Sequence, residues 1–229
     1  MSAFRIRWRM CGQCEAPYIT EVYARPSKGE SRRVVVARGT EHSLCVELHT
    51  RCRKCANCRR QRALLWRSRA EWETTLAPRT WFGTLTVRPE EHYRAQCAVT
   101  AYLEARAIPT GEVSGDRLFQ LVAQREATEI TLMLKRLRKA GIEFRYLVVT
   151  EAHKSGYPHF HMLLHEVREP VRYRALEKAW PLGFSKWRLV ADLKEARYLS
   201  KYLSKDARSR VRASLAYGSR TVNRLGVRG

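Results

Sequence analysis

The chain has 229 residues, 45% of them hydrophobic, enough for a packed core in one domain with an appendage or in two small domains. Forty-four Lys and Arg against twenty-two Asp and Glu leave a net charge of +22, far beyond what solubility needs, and mark a surface built to meet a polyanion such as nucleic acid. No apolar run approaches the roughly 20 residues that span a bilayer, and the opening Met-Ser-Ala-Phe-Arg-Ile-Arg-Trp-Arg lacks a signal peptide's apolar stretch, so a cytoplasmic protein with no membrane partner is expected.

Residues 1 to about 50 read as an irregular segment with short strands. Residues 33–37 and 44–48 flank a Gly-containing turn, so a hairpin is predicted there. Residues 58–76 follow as an Arg-rich helix ended by Pro78, and residues 81–87, rich in aromatic and β-branched side chains, as a strand stopped by Pro89. Residues 94–115 give no clear signal. Residues 118–140 form an amphipathic helix, with Phe119, Val122, Ile130, Met133 and Leu137 along one side and Gly141 as its stop. Residues 144–151 are a second strand, close enough to the apolar run starting at Tyr157 to pair with it as a hairpin turning near Ser155-Gly156. Pro170 opens a short helix to Trp180, residues 184–190 alternate as a strand, and Asp192 caps a last helix with Glu195 as its reciprocal partner. Beyond Asp206 the Arg-rich sequence reads as a mobile basic tail. The order predicts an α+β fold, a central antiparallel sheet with helices on one face. The expected organisation is a Cys-rich region with its basic helix at 1–78, a main domain at 79–207 and the tail at 208–229.

Five of the seven cysteines fall in two clusters, Cys11-Gly-Gln-Cys14 and Cys52-Arg-Lys-Cys55-Ala-Asn-Cys58. In a reducing compartment this spacing points to metal rather than disulfides, and two residues between thiolates suit a zinc knuckle. The expected structural zinc ligands are Cys14, Cys52, Cys55 and Cys58, with Cys11 as the alternative. Cys45 and Cys97 read as core residues. Eight Lys or Arg and no acid lie from Arg51 to Arg69, among them Arg59, Arg60 and Arg62, a run suited to the nucleic-acid backbone.

The run Pro158-His159-Phe160-His161-Met162-Leu163-Leu164, as a strand, turns both imidazoles to one face. The hairpin brings Glu151 across to the level of His159, so Glu151, His159 and His161 form a candidate site for a divalent cation with open positions for phosphate. His165 shares their parity but lies roughly 13 Å beyond His161 at ~3.3 Å per residue, too far for the same ion. Tyr198 and Tyr202, four apart on a helix, stack on one face as candidate nucleophiles. A free phenol has a pKa near 10, and Lys201 and Lys205 within one turn favour phenolate and offset charge in the transition state.

These residues resemble the histidine-hydrophobe-histidine (HUH) endonucleases that initiate rolling-circle replication, and most closely the replication initiators of microviruses of the gokushovirus type. Phe82-Gly83-Thr84-Leu85-Thr86 looks like the family's first motif, Glu151 with Pro158-His159-Phe160-His161 its second, and Tyr198-Leu-Ser-Lys201-Tyr202-Leu-Ser-Lys205-Asp206 the two-tyrosine form of its third. Trp180-Pro-Leu-Gly183 matches the spacing between the last two. Cys52 to Arg62 with Trp66, and Cys14-Glu15-Ala16-Pro17, resemble the cysteine-rich stretch of these phage proteins. The resemblance implies a ferredoxin-like HUH domain that uses Mg²⁺ or Mn²⁺ at Glu151, His159 and His161. It implies that Thr84 and Thr86 meet DNA, and that Tyr198 and Tyr202 nick and rejoin single-stranded DNA at a phage origin through a 5′-phosphotyrosine link. Its setting would be the host bacterial cytoplasm, with host helicase and polymerase as partners. A transposase or plasmid initiator would share this chemistry, and a zinc-dependent nucleic-acid-binding protein that cuts nothing is the rival of another class.

Overall fold

A computed structural model describes residues 5–24, 44–153, 156–194, 197–199 and 210–219. The chain divides into two compact units, Met1–Arg62 and Ala63–Gly229.

In the first unit, strands β1 (Arg5–Arg9), β2 (Tyr18–Ala24) and β3 (Leu44–Thr50) make a mixed sheet in the order β1-β3-β2. β1 runs parallel to β3, and β2 runs antiparallel to it with Tyr18 opposite Thr50. The strand expected at 44–48 is therefore central, flanked by β1 and β2; residues 33–37 of the expected hairpin lie outside the described residues. Helix α1 (Ala56–Leu76) follows the second cysteine cluster, and its residues from Ala63 onward belong to the second unit.

The second unit contains β4 (Thr80–Leu85), α2 (Pro89–Glu104), α3 (Gly115–Lys139), β5 (Phe144–Ala152), β6 (Pro158–Glu166), α4 (Tyr173–Lys178), β7 (Ser185–Leu189) and β8 (Arg210–Ala213). The five strands form an antiparallel sheet in the order β7-β4-β6-β5-β8. α2 occupies the stretch that carries no clear signal in sequence. Pro89 pre-sets its first turn, Glu90 and Glu91 sit where the helix dipole favours negative charge, and His92, Ala95, Val99 and Leu103 form its buried stripe. Cys97 falls off that stripe and is exposed, which corrects its expected place in the core. The side chain of Cys45 lies outside the described residues. α3 starts at Ser114, whose hydroxyl accepts the Arg117 N–H at 3.3 Å, and ends in Arg136, Arg138 and Lys139 before Gly141 at φ +76°.

β6 is apolar in both parities, and this decides the layering. Phe160, Met162 and Leu164 pack with Ile130, Met133 and Leu137 of α3 and with Leu176 of α4. Leu163, on the opposite face, packs with Ala63 and Ala70 of α1 and with Leu199. Helices thus cover both faces, where the order of elements predicts one. A central strand without a polar face must be covered twice, and leaving a side chain such as Phe160 in water would forfeit about 1.5–3 kcal/mol.

The chain after Asp206 is more than a tail. Arg210–Ala213 pairs with β5, the Ser214 hydroxyl accepts the Tyr146 N–H at 2.9 Å, and Tyr217 is 3% exposed, its hydroxyl 2.7 Å from Nε2 of His165. Val211 and Ala213 alternate with Arg210 and Arg212, and that period of two seats the strand despite its charge.

Candidate active site and cysteine cluster

The pairing of three central strands assembles the sequence motifs. Opposite residues of paired strands share a face, so Thr84 meets His161 across β4 and β6, and Glu151 meets His159 across β5 and β6. His161 is buried and bonded on both sides of its ring, by Nε2 to Glu151 Oε2 at 3.1 Å and by Nδ1 to Thr84 Oγ1 at a long 3.4 Å. A carboxylate only accepts, so Nε2 carries the proton and Nδ1 accepts from the threonine hydroxyl. The His159 pKa is pushed down to about 4, first by burial and then by His153, His161 and His92, so its imidazole is neutral near pH 7 and has a lone pair to donate.

Phe82 connects the histidines to the tyrosine segment. Its ring centroid lies 6.1 Å from that of His161 and 6.3 Å, edge-on, from that of Tyr198. Residues 193–194 and 197–199 are helical, Asp192 accepts the Lys194 N–H at 2.7 Å as an N-terminal cap, and Leu199 is buried beneath while Tyr198 is exposed. Tyr198 therefore stands on the histidine face of the sheet. Tyr202, Lys201, Lys205 and the expected capping partner Glu195 lie outside the described residues. Thr86 is turned to β7, its hydroxyl donating to the Phe184 carbonyl at 3.1 Å.

Two further histidines join the site without having been singled out in sequence. His153 meets His159 edge to face at 4.2 Å, and its spacing of two from Glu151 on β5 was the available signal. His92 is stacked on Tyr157 at 4.3 Å, and its Nδ1 lies 2.6 Å from Oε1 of Glu126. Burial pushes the Glu126 carboxyl up to about 8 and the His92 imidazole down, so the pair is neutral around pH 7. Nothing local marks it, because the partners are 34 residues apart on two helices. His165 belongs to a separate buried network with Thr80 and Tyr217.

In the first unit the sulfurs of Cys14, Cys52, Cys55 and Cys58 all lie within 4.8 Å of one another, a four-thiol set that can hold a structural metal such as zinc. Among the described residues this is the one group of three or more His, Cys, Asp or Glu so closely gathered; Glu151, His159 and His161 do not reach that closeness. Cys58 joins the set and Cys11 does not. Backbone N–H groups aim at the sulfurs, those of Lys54 and Cys55 at Cys52 Sγ (3.4 and 3.3 Å) and that of Cys52 at Cys14 Sγ (3.3 Å). Arg53 adopts φ +63° within this turn. The Cys55 and Lys54 amides hold the Cys52 thiol down at about 6, the thiolate form that a metal needs, whereas burial drives Cys58 up to about 12 in the metal-free cluster. Arg59 donates to the Lys54 carbonyl at 3.0 Å, while Arg60 is exposed and Arg62 half-buried.

A basic chain that gathers histidines, a carboxylate and a phenol on one sheet face has the makings of a phosphodiester-processing site. Residues 117–207 match a family model described as a replication-associated protein of the ORF2 type. The match runs from α3 to the tyrosine segment and so takes in Glu151, His159, His161 and Tyr198; it supports a DNA-binding replication initiator of the rolling-circle kind. No curated protein and no solved structure matches the chain. Among the described residues no helix is long and apolar enough to cross a membrane.

Proposed function

We propose that the protein initiates rolling-circle replication by nicking and rejoining single-stranded DNA, with an HUH-type, ferredoxin-like arrangement of β4, β5, β6 and β7 as its scaffold. The observation that carries this reading is the contact of Phe82 with both His161 and Tyr198, which unites imidazole and phenol on one face. Tyr198 or Tyr202 attacks a backbone phosphorus, the bond from phosphorus to O3′ breaks, and the departing oxygen takes up a proton to become the 3′-OH a host polymerase extends. The phosphotyrosine bond keeps the energy of the diester, so a 3′-OH can reverse the step and close a circle. Lys201 and Lys205 balance charge on the pentavalent phosphorus. Glu151, His159 and His161 suit a Mg²⁺ or Mn²⁺ ion, which would polarise the phosphate oxygens. His161 is held in place by Thr84 and Glu151, and His159 stays neutral and ready to ligate. The four-thiol cluster is a structural zinc knuckle that carries the basic residues Arg59, Arg60 and Arg62. A microvirus origin in a bacterial cytoplasm is the setting we propose.

The test is a covalent adduct. Protein is incubated with labelled single-stranded origin DNA and Mn²⁺, denatured, and resolved by electrophoresis. A protein-DNA band is expected that EDTA abolishes, that is lost in the His159→Ala/His161→Ala double variant, and that disappears when Tyr198 and Tyr202 are both Phe. An adduct that survives both Phe substitutions overturns the nucleophile assignment.

A further inference from the structure

β7 is the outermost strand of the five-stranded sheet beside β4. Its register sets Arg188 opposite Phe82 and Lys186 opposite Thr84, so both cations rise on the face that carries His161 and Tyr198. Trp187, between them, points the other way and is buried. The Thr86 N–H donates to the Phe184 carbonyl at 2.9 Å, which continues the ladder one residue beyond the strand, and the same alternation puts Phe184 on the side of Lys186. Phe184 is 81% exposed, a large aromatic surface left in water at a sheet edge. The Arg188 guanidinium lies 5.0 Å above the centroid of Phe82, the ring that also touches His161 and Tyr198. One line of three side chains therefore runs along the edge of the sheet and ends beside the phenol.

We infer that this edge is a track for single-stranded DNA, in which Phe184 stacks against a base while Lys186 and Arg188 hold successive backbone phosphates and deliver the chain to Tyr198. The chemistry is that of sequence-tolerant single-strand binding, an aromatic platform in series with cations. Lys186 and Arg188 are separated by two residues of strand, ~6.6 Å, a step that neighbouring phosphates of an extended single strand can follow. A stacked duplex offers no free base face to Phe184, so the track selects unpaired DNA. Stacking on Phe82 fixes the plane of the guanidinium, and its N–H edge is the part that meets a phosphate. The inference deepens the nicking reading above and rests on it for the direction in which the strand is fed.

The experiment measures binding in the full chain with Tyr198 and Tyr202 both changed to Phe, so that no covalent step intervenes. The probes are a fluorescent oligothymidylate and an abasic strand of equal length, titrated at several salt concentrations. Phe184→Ala should lose about tenfold in affinity for oligothymidylate and nothing for the abasic strand, because only the former has bases to stack. Lys186→Gln and Arg188→Gln should weaken both strands, each lowering the slope of log K against log salt by about 0.7, the value for one phosphate of a single strand. Arg106→Gln is the control: Arg106 is equally exposed and sits 3.8 Å over the Tyr102 ring, but on α2, away from the track, and its loss should leave the slope unchanged. The track is refuted if Phe184→Ala weakens both strands alike or neither, or if the two β7 variants behave as Arg106→Gln does. Failure of the parent chain to form an adduct while these binding effects persist would remove the nicking reading and leave the track standing. An adduct formed by a chain whose β7 variants bind like the control would do the opposite.

Discussion

A methyl group added at Gly83 probes how the sheet holds its edge. A Cβ there would lie 2.4 Å from Cζ3 of Trp187 and 2.7 Å from its Cε3 and Cη2. Carbon atoms rest at about 3.5–4.0 Å, so the indole must retreat by about 1 Å. It has no slack: Trp187 is 4% exposed and packed into the core that α3 and α4 share with the sheet. Overpacking of this kind costs about 1–3 kcal/mol, and Gly83→Ala should therefore unfold at lower urea with a loss near 2 kcal/mol. Trp187→Leu removes the opposing ring and makes room. In that background the same Gly83→Ala change should cost less than about 0.5 kcal/mol, a coupling of at least ~1 kcal/mol between the two sites. If the two single losses instead add to within about 0.5 kcal/mol, the glycine is not there to admit the indole and the argument fails. Because Trp187 lies between Lys186 and Arg188, the folded fraction of Gly83→Ala should also bind single strands more weakly than its stability alone accounts for.

Exhaustively dialysed protein should retain about one equivalent of zinc by metal analysis; Cys14→Ser or Cys55→Ser should lose it, and Cys11→Ser should keep it because Cys11 lies outside the four-thiol set. Glu73 is buried and accepts from Arg145 through both oxygens at 2.6 Å and from the Gly218 N–H at 2.6 Å, so Glu73→Ala should destabilise by about 3 kcal/mol in urea titrations. An unchanged midpoint there would mean the network ties nothing down. Burial raises the Glu126 carboxyl to about 8 in the folded chain against a normal 4.5, so the folded state binds the extra proton and stability falls as pH rises from about 4.5 to 8. Glu126→Gln removes that titration, and its stability relative to the parent should improve between about pH 5 and pH 8 by on the order of a few kcal/mol. A difference that does not vary with pH would show that the carboxyl titrates normally.

Most of the second unit was legible because its elements have unmixed periods. The Phe119 to Leu137 stripe could only be a helix, and the spacing of two in His159 and His161 could only share a face on a strand. α2 was hidden because a buried histidine breaks its apolar stripe, and that histidine is satisfied by Glu126, which no local pattern indicates. β8 was hidden by its arginines, which outweigh in composition the two apolar residues that seat it. In the candidate site, the pairing of Glu151 with His159 followed from the hairpin alone. Phe82 as the shared neighbour of His161 and Tyr198 did not, since the three come from separate elements.

What the amino-acid order determined by itself was local and periodic: which residues lie on one side of an element, where helices start and stop, and which thiols and imidazoles lie close enough along the chain to cooperate. Strand order, the covering of both sheet faces, Cys58 rather than Cys11 in the thiol cluster, and the line from Phe184 to Tyr198 were decided only by tertiary structure. They depend on contacts between residues far apart in the chain, and such contacts are chosen by the burial of whole faces against one another, a property no single segment carries.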